Sequence, residues 1–459
     1  MTGMPLLGAM LALAVVPCAR AQSGTAPASP AAAAKPSAPN DRLKNIPLAG
    51  EHPVTLSVGG QLRWREELYR GFNTLDINDD NSQSRLLVSA DVVAGRRTKG
   101  YARVFAEWRD DQSYGRTLPG GARTQDADRH DVQALFVEMG RGANSLRIGR
   151  QEIALANQRL IGVPDWANTR RGAQGARLSL ARGRFAVEAV DARPLLVRQT
   201  APNRADSTQR FRTLSIGSAT GAKPLARGLP ALWQAYWYEQ SLHPTTGART
   251  YRLTTGGRVQ WTWGTTTSAV TRGLEVEAAA QRGTVGTRAI HAWFAVAEAQ
   301  LQWKQVRGAP TLALGIEEGS GENPATSNTL EAFNVLYPAA HAHGGYADVI
   351  GRTNTRELHS ISTWDPFAPL NLRLALYRFD RRRLDDAAYN KANGVFRAAG
   401  TNRQRHIADE VDLTGTWRLD RHWRVVFGGG LVGPGAFLEQ TLAGTRTERW
   451  GFAGVTLVL

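Results

Sequence analysis

From Val54 to Glu67 the chain reads VTLSVGGQLRWREE, with apolar and polar residues in alternation. Val54, Leu56, Val58, Gly60, Leu62 and Trp64 share one face of an extended strand, and Thr55, Ser57, Gly59, Gln61, Arg63, Arg65 and Glu67 share the other. The period recurs in Arg85–Gly95, where Leu86, Val88, Ala90, Val92 and Ala94 oppose Arg85, Ser89 and Asp91. It recurs in Tyr101–Asp111, where Ala102, Val104, Ala106 and Trp108 oppose Tyr101, Arg103, Phe105, Glu107 and Arg109. Around Asn371–Asp380, Leu372, Leu374 and Leu376 oppose Arg373, Ala375 and Tyr377. Tyr251–Trp263, with Trp261 and Trp263 in phase, and the segments from Arg421 and Arg449 continue it. A period of two over so much of the chain predicts an all-β fold.

The connections alternate in length. Ala94–Gly100, Gly140–Ser145, Ala181–Arg184 and Arg418–His422 are short and carry Gly, Asn or Asp. Asp110–Arg129, Arg198–Pro230, Gly319–Gly351 and Arg381–Arg405 are long polar inserts. Short turns at one end and long loops at the other describe an outer-membrane barrel. Lipid requires the sheet to close, because an open edge would leave unpaired N–H and C=O groups in hydrocarbon. Trp64, Trp108, Trp261, Trp263, Trp303, Trp417, Trp423 and Trp450 near strand ends suit an interfacial girdle. Strands of a soluble sandwich also alternate. Such a sandwich would have to bury the charged face, and unpaired buried charge costs several kcal/mol, on the order of a whole domain's stability.

Composition sharpens this picture. The 459 residues are 42% apolar, which excludes a disordered chain. The net charge is +16, carried by 50 arginines against six lysines. Arginine in this excess reflects either a GC-rich coding sequence or use for anions, since guanidinium binds carboxylate and phosphate bidentately. The arginines are spread along strands and not clustered, which argues against nucleic acid. Cys18 is the one cysteine, so there is no disulfide framework and no thiolate metal site. Beyond the N-terminus no apolar run is long enough for a transmembrane helix. Residues 1–21 read as a signal peptide ending in Ala19-Arg20-Ala21, 22–45 as an Ala/Pro-rich disordered linker, and 46–459 as the barrel.

Three stretches resemble the alginate export family of outer-membrane barrels. Leu146–Leu178 carries Gly149-Arg150-Gln151, then Arg159-Leu160, Trp166, Asn168 and Arg170-Arg171. Phe333–Asn354 carries Phe333, Leu336, Tyr337, Pro338, His341, Gly345 and Asp348. The third has Glu410, Asp412, Gly433 and Gly435. The resemblance implies a monomeric 18-stranded barrel with an electropositive, arginine-lined constriction for a polyuronate. The 414 residues from 46 to 459 allow about 23 per strand, enough for ~10 spanning residues and a turn, and 16 strands also fit. Two departures stand out. The terminal residue is Leu459 where such barrels end in an aromatic, and strict alternation puts Arg150 in phase with Leu146 and Ile148 unless a bulge intervenes at Gly149.

The candidate pore residues follow from phase and resemblance together. Arg63, Arg65, Arg85, Arg103, Arg147 and Arg373 point inward by alternation, and Arg150 is added from the motif. Asp165, Arg170 and Arg171 flank Trp166 in a loop that could meet a sugar ring by stacking and bidentate bonding. Any one of these arginines could equally belong to a satisfied wall lattice. His341 and His343 with Asp348 read as a structural loop more readily than as a metal site. No Gly-x-Ser-x-Gly elbow occurs, and Glu317-Glu318 and Asp385-Asp386 sit in loop-like, solvated contexts, so no catalytic residue or cofactor is assigned.

The reading is a single transmembrane antiparallel β-barrel of the bacterial outer membrane, a channel for passive passage of anionic solutes such as alginate. Its partners are that anionic solute or polysaccharide, outer-membrane lipid and the barrel assembly machinery. Two other readings use the same residues: a small-anion uptake porin, and a surface-binding barrel occluded by a loop such as Arg198–Pro230.

Overall fold

The computed structural model describes residues 42–48 and 53–459, apart from 222–225, 227, 231, 266 and 326–327. The signal peptide and most of the linker lie outside the described residues. The wall begins with β1 (Val54–Arg70), β2 (Asn78–Arg96), β3 (Gly100–Tyr114), β4 (Asp128–Arg141), β5 (Asn144–Gln151) and β6 (Ala173–Arg182). It continues with β7 (Phe185–Leu196), β8 (Gln209–Ser218), β9 (Leu232–Leu242), β10 (Thr250–Trp263), β11 (Val270–Val285) and β12 (Arg288–Trp303). It ends with β13 (Thr311–Gly319), β14 (Thr355–Phe367), β15 (Leu370–Arg381), β16 (His406–Arg418), β17 (Trp423–Pro434) and β18 (Glu448–Val458).

Each strand pairs antiparallel with the next, and β18 returns to β1 in the register Gln61↔Val458 to Arg70↔Arg449. The result is a closed 18-stranded antiparallel barrel. No helix among the described residues is long and apolar enough to cross a membrane.

The alternation of the sequence is the two-sidedness of this wall. On β1, Leu62 and Trp64 are 50% and 43% exposed on the outer face, whereas Arg63 and Arg65 are 6% and 2% exposed on the inner one. Trp108, Trp263, Trp417 and Trp423 are also exposed. Trp450 corrects the girdle: it is buried, in register with Tyr69 and Gly430, and stacks with Phe452 and Tyr346 inside the barrel.

β18 stops short of the lower part of β1, and residues 42–47 take its place. Leu43 O accepts from Val58 N at 2.8 Å, and Ile46 and Pro47 pair with Leu56 and Thr55. A seam that would expose backbone groups is thereby covered. These residues include the last of the expected linker.

Arg198–Pro230 is a second correction. It is not one long loop, because β8 runs through it and pairs with β7 and β9. Its outer residues Leu214 and Ile216 are exposed, and its inner ones are Phe211, Thr213, Ser215 and Gly217. The Gly435–Thr447 connection carries a short helix, α1 (Ala436–Thr441), whose Phe437 and Leu438 are fully buried.

Candidate functional site

Two connections at the long-loop end turn into the barrel instead of out to solvent. The first is 152–172, between β5 and β6, and the second is 320–354, between β13 and β14. Both carry apolar residues that a polar loop would lack. Ile153, Leu155, Leu160 and Ile161 of the first, with Phe333 and Val335 of the second, are buried against Val190, Phe211, Tyr236, Ile290 and Phe294 of the wall. Burying this surface, at about 25 cal/mol per Å² of apolar area, favours the inward fold.

Wall arginines hold the first loop. Arg63 and Arg85 are directly opposed across β1 and β2, an unfavourable pair unless acceptors lie between them. The loop supplies those acceptors. Arg63 donates to Asp165 O and Asn168 Oδ1, each at 2.9 Å, and Arg85 donates to Asp165 O at 2.8 Å and Asn168 O at 2.9 Å. Arg85 also pairs with the Asp165 carboxylate at 2.8 Å. Arg65 donates to Trp166 O at 2.8 Å, places its Cζ 4.0 Å from the Trp166 ring, and pairs with Glu67 at 2.7 Å. Asn168 turns its amide back to the carbonyls of Ser84, Gln112 and Asp126. Hydrogen bonds from a charged donor contribute about 1.5–3 kcal/mol each, so this set fixes the loop firmly.

Wall carboxylates hold the second loop by the opposite polarity. Glu410 accepts from Ala347 N at 2.8 Å and Asp412 from Tyr346 N at 3.1 Å, both from β16. Lys391, from the connection after β15, reaches in to pair with Asp348 at 2.9 Å and to donate to Gly345 O at 2.7 Å.

The two loops meet at a parallel bridge between Ile161 and Tyr337. Tyr337 N donates to Leu160 O and Gly162 N to Tyr337 O, each at 2.8 Å. Arg171 clamps the junction, with Nη1 donating to Tyr337 O at 2.7 Å, Pro338 O at 3.0 Å and Gly162 O at 3.1 Å. Trp166 and His341 stack across the junction. Together the loops form a partition within the lumen.

The electrostatics of the loops follow. Burial opposes charge on Asp165, but Arg85, Arg63 and Arg170 outweigh it and hold the carboxyl well below the usual range. Its side chain is 56% exposed all the same, so this charge faces water inside the barrel. Burial likewise opposes charge on Asp348, and Lys391 and His341 more than compensate. His343 is pulled down to about 3 by burial and by the guanidiniums of Arg159 and Arg352. Arg170 is held above its usual value, because Glu152, Glu107 and Asp165 outweigh the cost of burial.

The expected pore residues therefore divide. Arg63, Arg65, Arg85, Asp165, Arg170, Arg171 and Trp166 come together at the partition. Arg373 joins them from β15, its Nη2 donating to the Tyr377 hydroxyl at 2.6 Å and its Cζ 5.1 Å from the Tyr346 ring. Arg103 and Arg147 face inward, toward the short-turn end. They form a wall lattice in which Arg103 pairs with Asp91 at 2.7 Å and both flank Glu138.

Arg150 does not join any of these. The register of β5 with β4 and β6 runs unbroken from Asn144 to Gln151, so Arg150 stays opposite the lipid-facing Leu135. Its guanidinium is tied at the strand end to Asp131, Val132 O and Asn203 O. Gly149 has φ +135°, but no residue is inserted there.

The acid pairs read as solvated loop residues are otherwise placed. Glu317 is buried on β13 and bound by Arg159 and Arg352, and Asp386 is buried, accepting from Glu322 N at 2.7 Å. His341 bonds Asp348, and His343 bonds Asn157 O at 2.9 Å; among the described residues no group of three acid, His or Cys side chains is arranged for a metal. Arg159, part of the family pattern but not among the candidate pore residues, brings its guanidinium to Glu275 at 2.6 Å and Glu277 at 2.9 Å. Nothing in local alternation marks a loop arginine as a wall contact.

The family described as alginate export matches residues 54–452. Among solved structures, Pseudomonas aeruginosa OccK9 (OpdG) is similar at a TM-score of 0.61 and 12% identity, covering 88% of this chain and 98% of that one. Pseudomonas aeruginosa OccK11 (OpdR) gives 0.55 and 13%, covering 88% and 96%. Pseudomonas aeruginosa OpdK with vanillate gives 0.56 and 11%, covering 88% and 98%. No curated protein matches the chain.

Proposed function

The chain belongs to the alginate export family and is a channel of the bacterial outer membrane; from that premise we propose that it passes anionic solutes by diffusion, with a polyuronate such as alginate as cargo. One observation carries the proposal. Both loops of the family pattern converge inside the lumen, where Arg171 of one clamps Tyr337 of the other, Trp166 stacks on His341, and Arg170 stands by the water-facing Asp165. Excess guanidinium in a wet passage raises the local concentration of anions, and closely spaced sites let a polyanion exchange one arginine for the next. We read the barrel as a monomer delivered by the barrel assembly machinery, and as a channel rather than an enzyme.

Vanillate, an aromatic carboxylate, in a structure of similar fold favours a second reading, small-carboxylate uptake. Reversal potential in a planar bilayer under a salt gradient, followed by addition of oligouronate or vanillate, separates the two. Anion selectivity with block by oligouronate supports the polyuronate cargo. Block by vanillate alone supports the small-carboxylate porin. Cation selectivity, or no current, refutes both, and no current leaves the occluded barrel.

A further inference from the structure

Most buried guanidiniums inside this barrel are matched. Arg85 has Asp165, Arg109 has Asp128, and Arg159 has Glu277. Arg63 and Arg381 form no ion pair among the described residues, but each spreads its N–H groups over several carbonyl acceptors. Arg252, on the inner face of β10, has neither arrangement. It is 5% exposed. Among the described residues it makes one hydrogen bond, from Nη1 to Gln240 Oε1 at 2.7 Å, and its buried Nε has no partner. The edge left unbonded, Nε with Nη2, is one of those with which a guanidinium grips a carboxylate side-on.

Arg252 lies near the start of β10, directly across from Gln240 of β9 and close to the long-loop mouth. Tyr337 of the second inward loop stands beside it, its hydroxyl donating to Gln209 Oε1 at 3.1 Å. Past Tyr337, Arg171 offers the same unbonded edge. Its three hydrogen bonds all leave Nη1, and its Cζ is 6.0 Å from the Tyr337 ring. Neither arginine forms an ion pair among the described residues. Asp206, the acid whose charge reaches Tyr337, is already engaged by Thr208 and Gln209. Burial with only the Tyr337 phenol for company draws Arg171 down to about 10. A buried guanidinium with a single acceptor, as at Arg252, is costly unless an anion completes it.

We propose that Arg252, with Gln240 and with Arg171 beyond Tyr337, forms a carboxylate-binding station at the long-loop mouth, which takes one carboxylate of a uronate-type solute as it enters or leaves. This rests on the anion-channel reading above and adds a residue that alternation and family pattern did not single out.

The test uses the full-length barrel in a planar bilayer, with D-glucuronate added to one side at a time and D-glucose as the uncharged control. In the wild type, glucuronate block is stronger from the long-loop side. Arg252→Gln raises the half-blocking concentration on that side about tenfold and abolishes the asymmetry. Arg252→Lys, which keeps the charge without the fork, falls between, and it serves as the readout if the glutamine variant does not assemble. Arg252→Gln blocked with wild-type asymmetry overturns the station while leaving the channel reading intact. Wild-type barrels without anion selectivity overturn the channel reading itself. Equal block by glucose and glucuronate shows steric plugging and overturns the station.

Discussion

The imidazole of His341 lies flat on the indole of Trp166, ring centroids 4.2 Å apart and 9° from parallel. One ring belongs to each inward loop, and Arg65 of the wall contacts the same indole. The partition is thus held at a point where three parts of the chain touch. An aromatic pair of this kind contributes about 0.5–1.5 kcal/mol beyond its buried area. Trp166→Ala should raise open probability and conductance, and His341→Ala should do so less. The double variant should fall short of the sum by about that coupling energy, read from thermal melts of loop-sensitive fluorescence or from open probability. Strict additivity would mean that the rings do not couple the loops.

Arg85 is the wall residue on which the first loop depends most. Its replacement by Ala strands the Asn168 carbonyl, leaves the Asp165 carbonyl to Arg63 alone and breaks the pair with the Asp165 carboxylate. Breaking a buried pair costs about 3–5 kcal/mol, and the exposure of Asp165 to lumenal water reduces that to roughly 1–3 kcal/mol. The barrel should stay heat-resistant on gels, since its wall hydrogen bonds are untouched. Residues 152–172 should become protease-sensitive. A loop as resistant as in the wild type would show that Arg63 and Arg65 suffice.

Acid should loosen the partition in a defined window. His343, beside Arg159, Arg352 and Glu317, is held down to about 3. The unfolded loop takes a proton near the ordinary ~6.5, before the folded one does. Stability present above pH ~6.5 is therefore lost as pH falls from there toward 3, by at most ~1.4 kcal/mol per unit. Asp165 and Asp348, both held low, add their losses only below pH ~4. Conductance should rise between pH 6.5 and 4.5, and His343→Gln should flatten that rise. An unchanged slope in the variant would assign the response to another group.

The wall was legible in the sequence because lipid and lumen impose opposite chemistry on neighbouring residues. Leu62, Arg63, Trp64 and Arg65 alternate in the sequence and alternate in exposure. β8 was not legible, since its inner residues are Phe, Thr, Ser and Gly, and Arg210 and Arg212 broke the apolar row. The partition was legible only as motifs. Alternation assigns Arg63 and Arg85 to the inside but says nothing of what they bind, because their acceptors are loop carbonyls some eighty to a hundred residues away.

Arg150 separates motif from phase. It sits on the outer row opposite Leu135 and is satisfied by Asp131, Val132 O and Asn203 O. Arg150→Ala should leave the reversal potential unchanged, whereas Arg170→Gln, which removes a guanidinium beside Asp165, Glu107 and Glu152, should shift it toward cations. A shift in the first variant would place Arg150 on the conduction path.

Gly345 is where the second loop seats on the wall. Its φ is +79°, a conformation that side-chain-bearing residues adopt at a cost, and a Cβ there would collide with the Glu410 carboxylate. Glu410 is the acceptor for Ala347 N, two residues on. Gly345→Ala therefore strains the backbone and displaces the wall carboxylate that anchors the loop, a loss of about 1–3 kcal/mol. The expected phenotype is a partition released from β16: larger conductance, protease sensitivity in 320–354, and an unaltered barrel melt. Gly444, also at positive φ (+79°), has nothing within 4 Å of its Cβ position and is the control. Gly444→Ala strains its turn without touching the partition. If both alanine variants conduct alike, the effect at Gly345 is backbone strain alone and Glu410 is not the anchor.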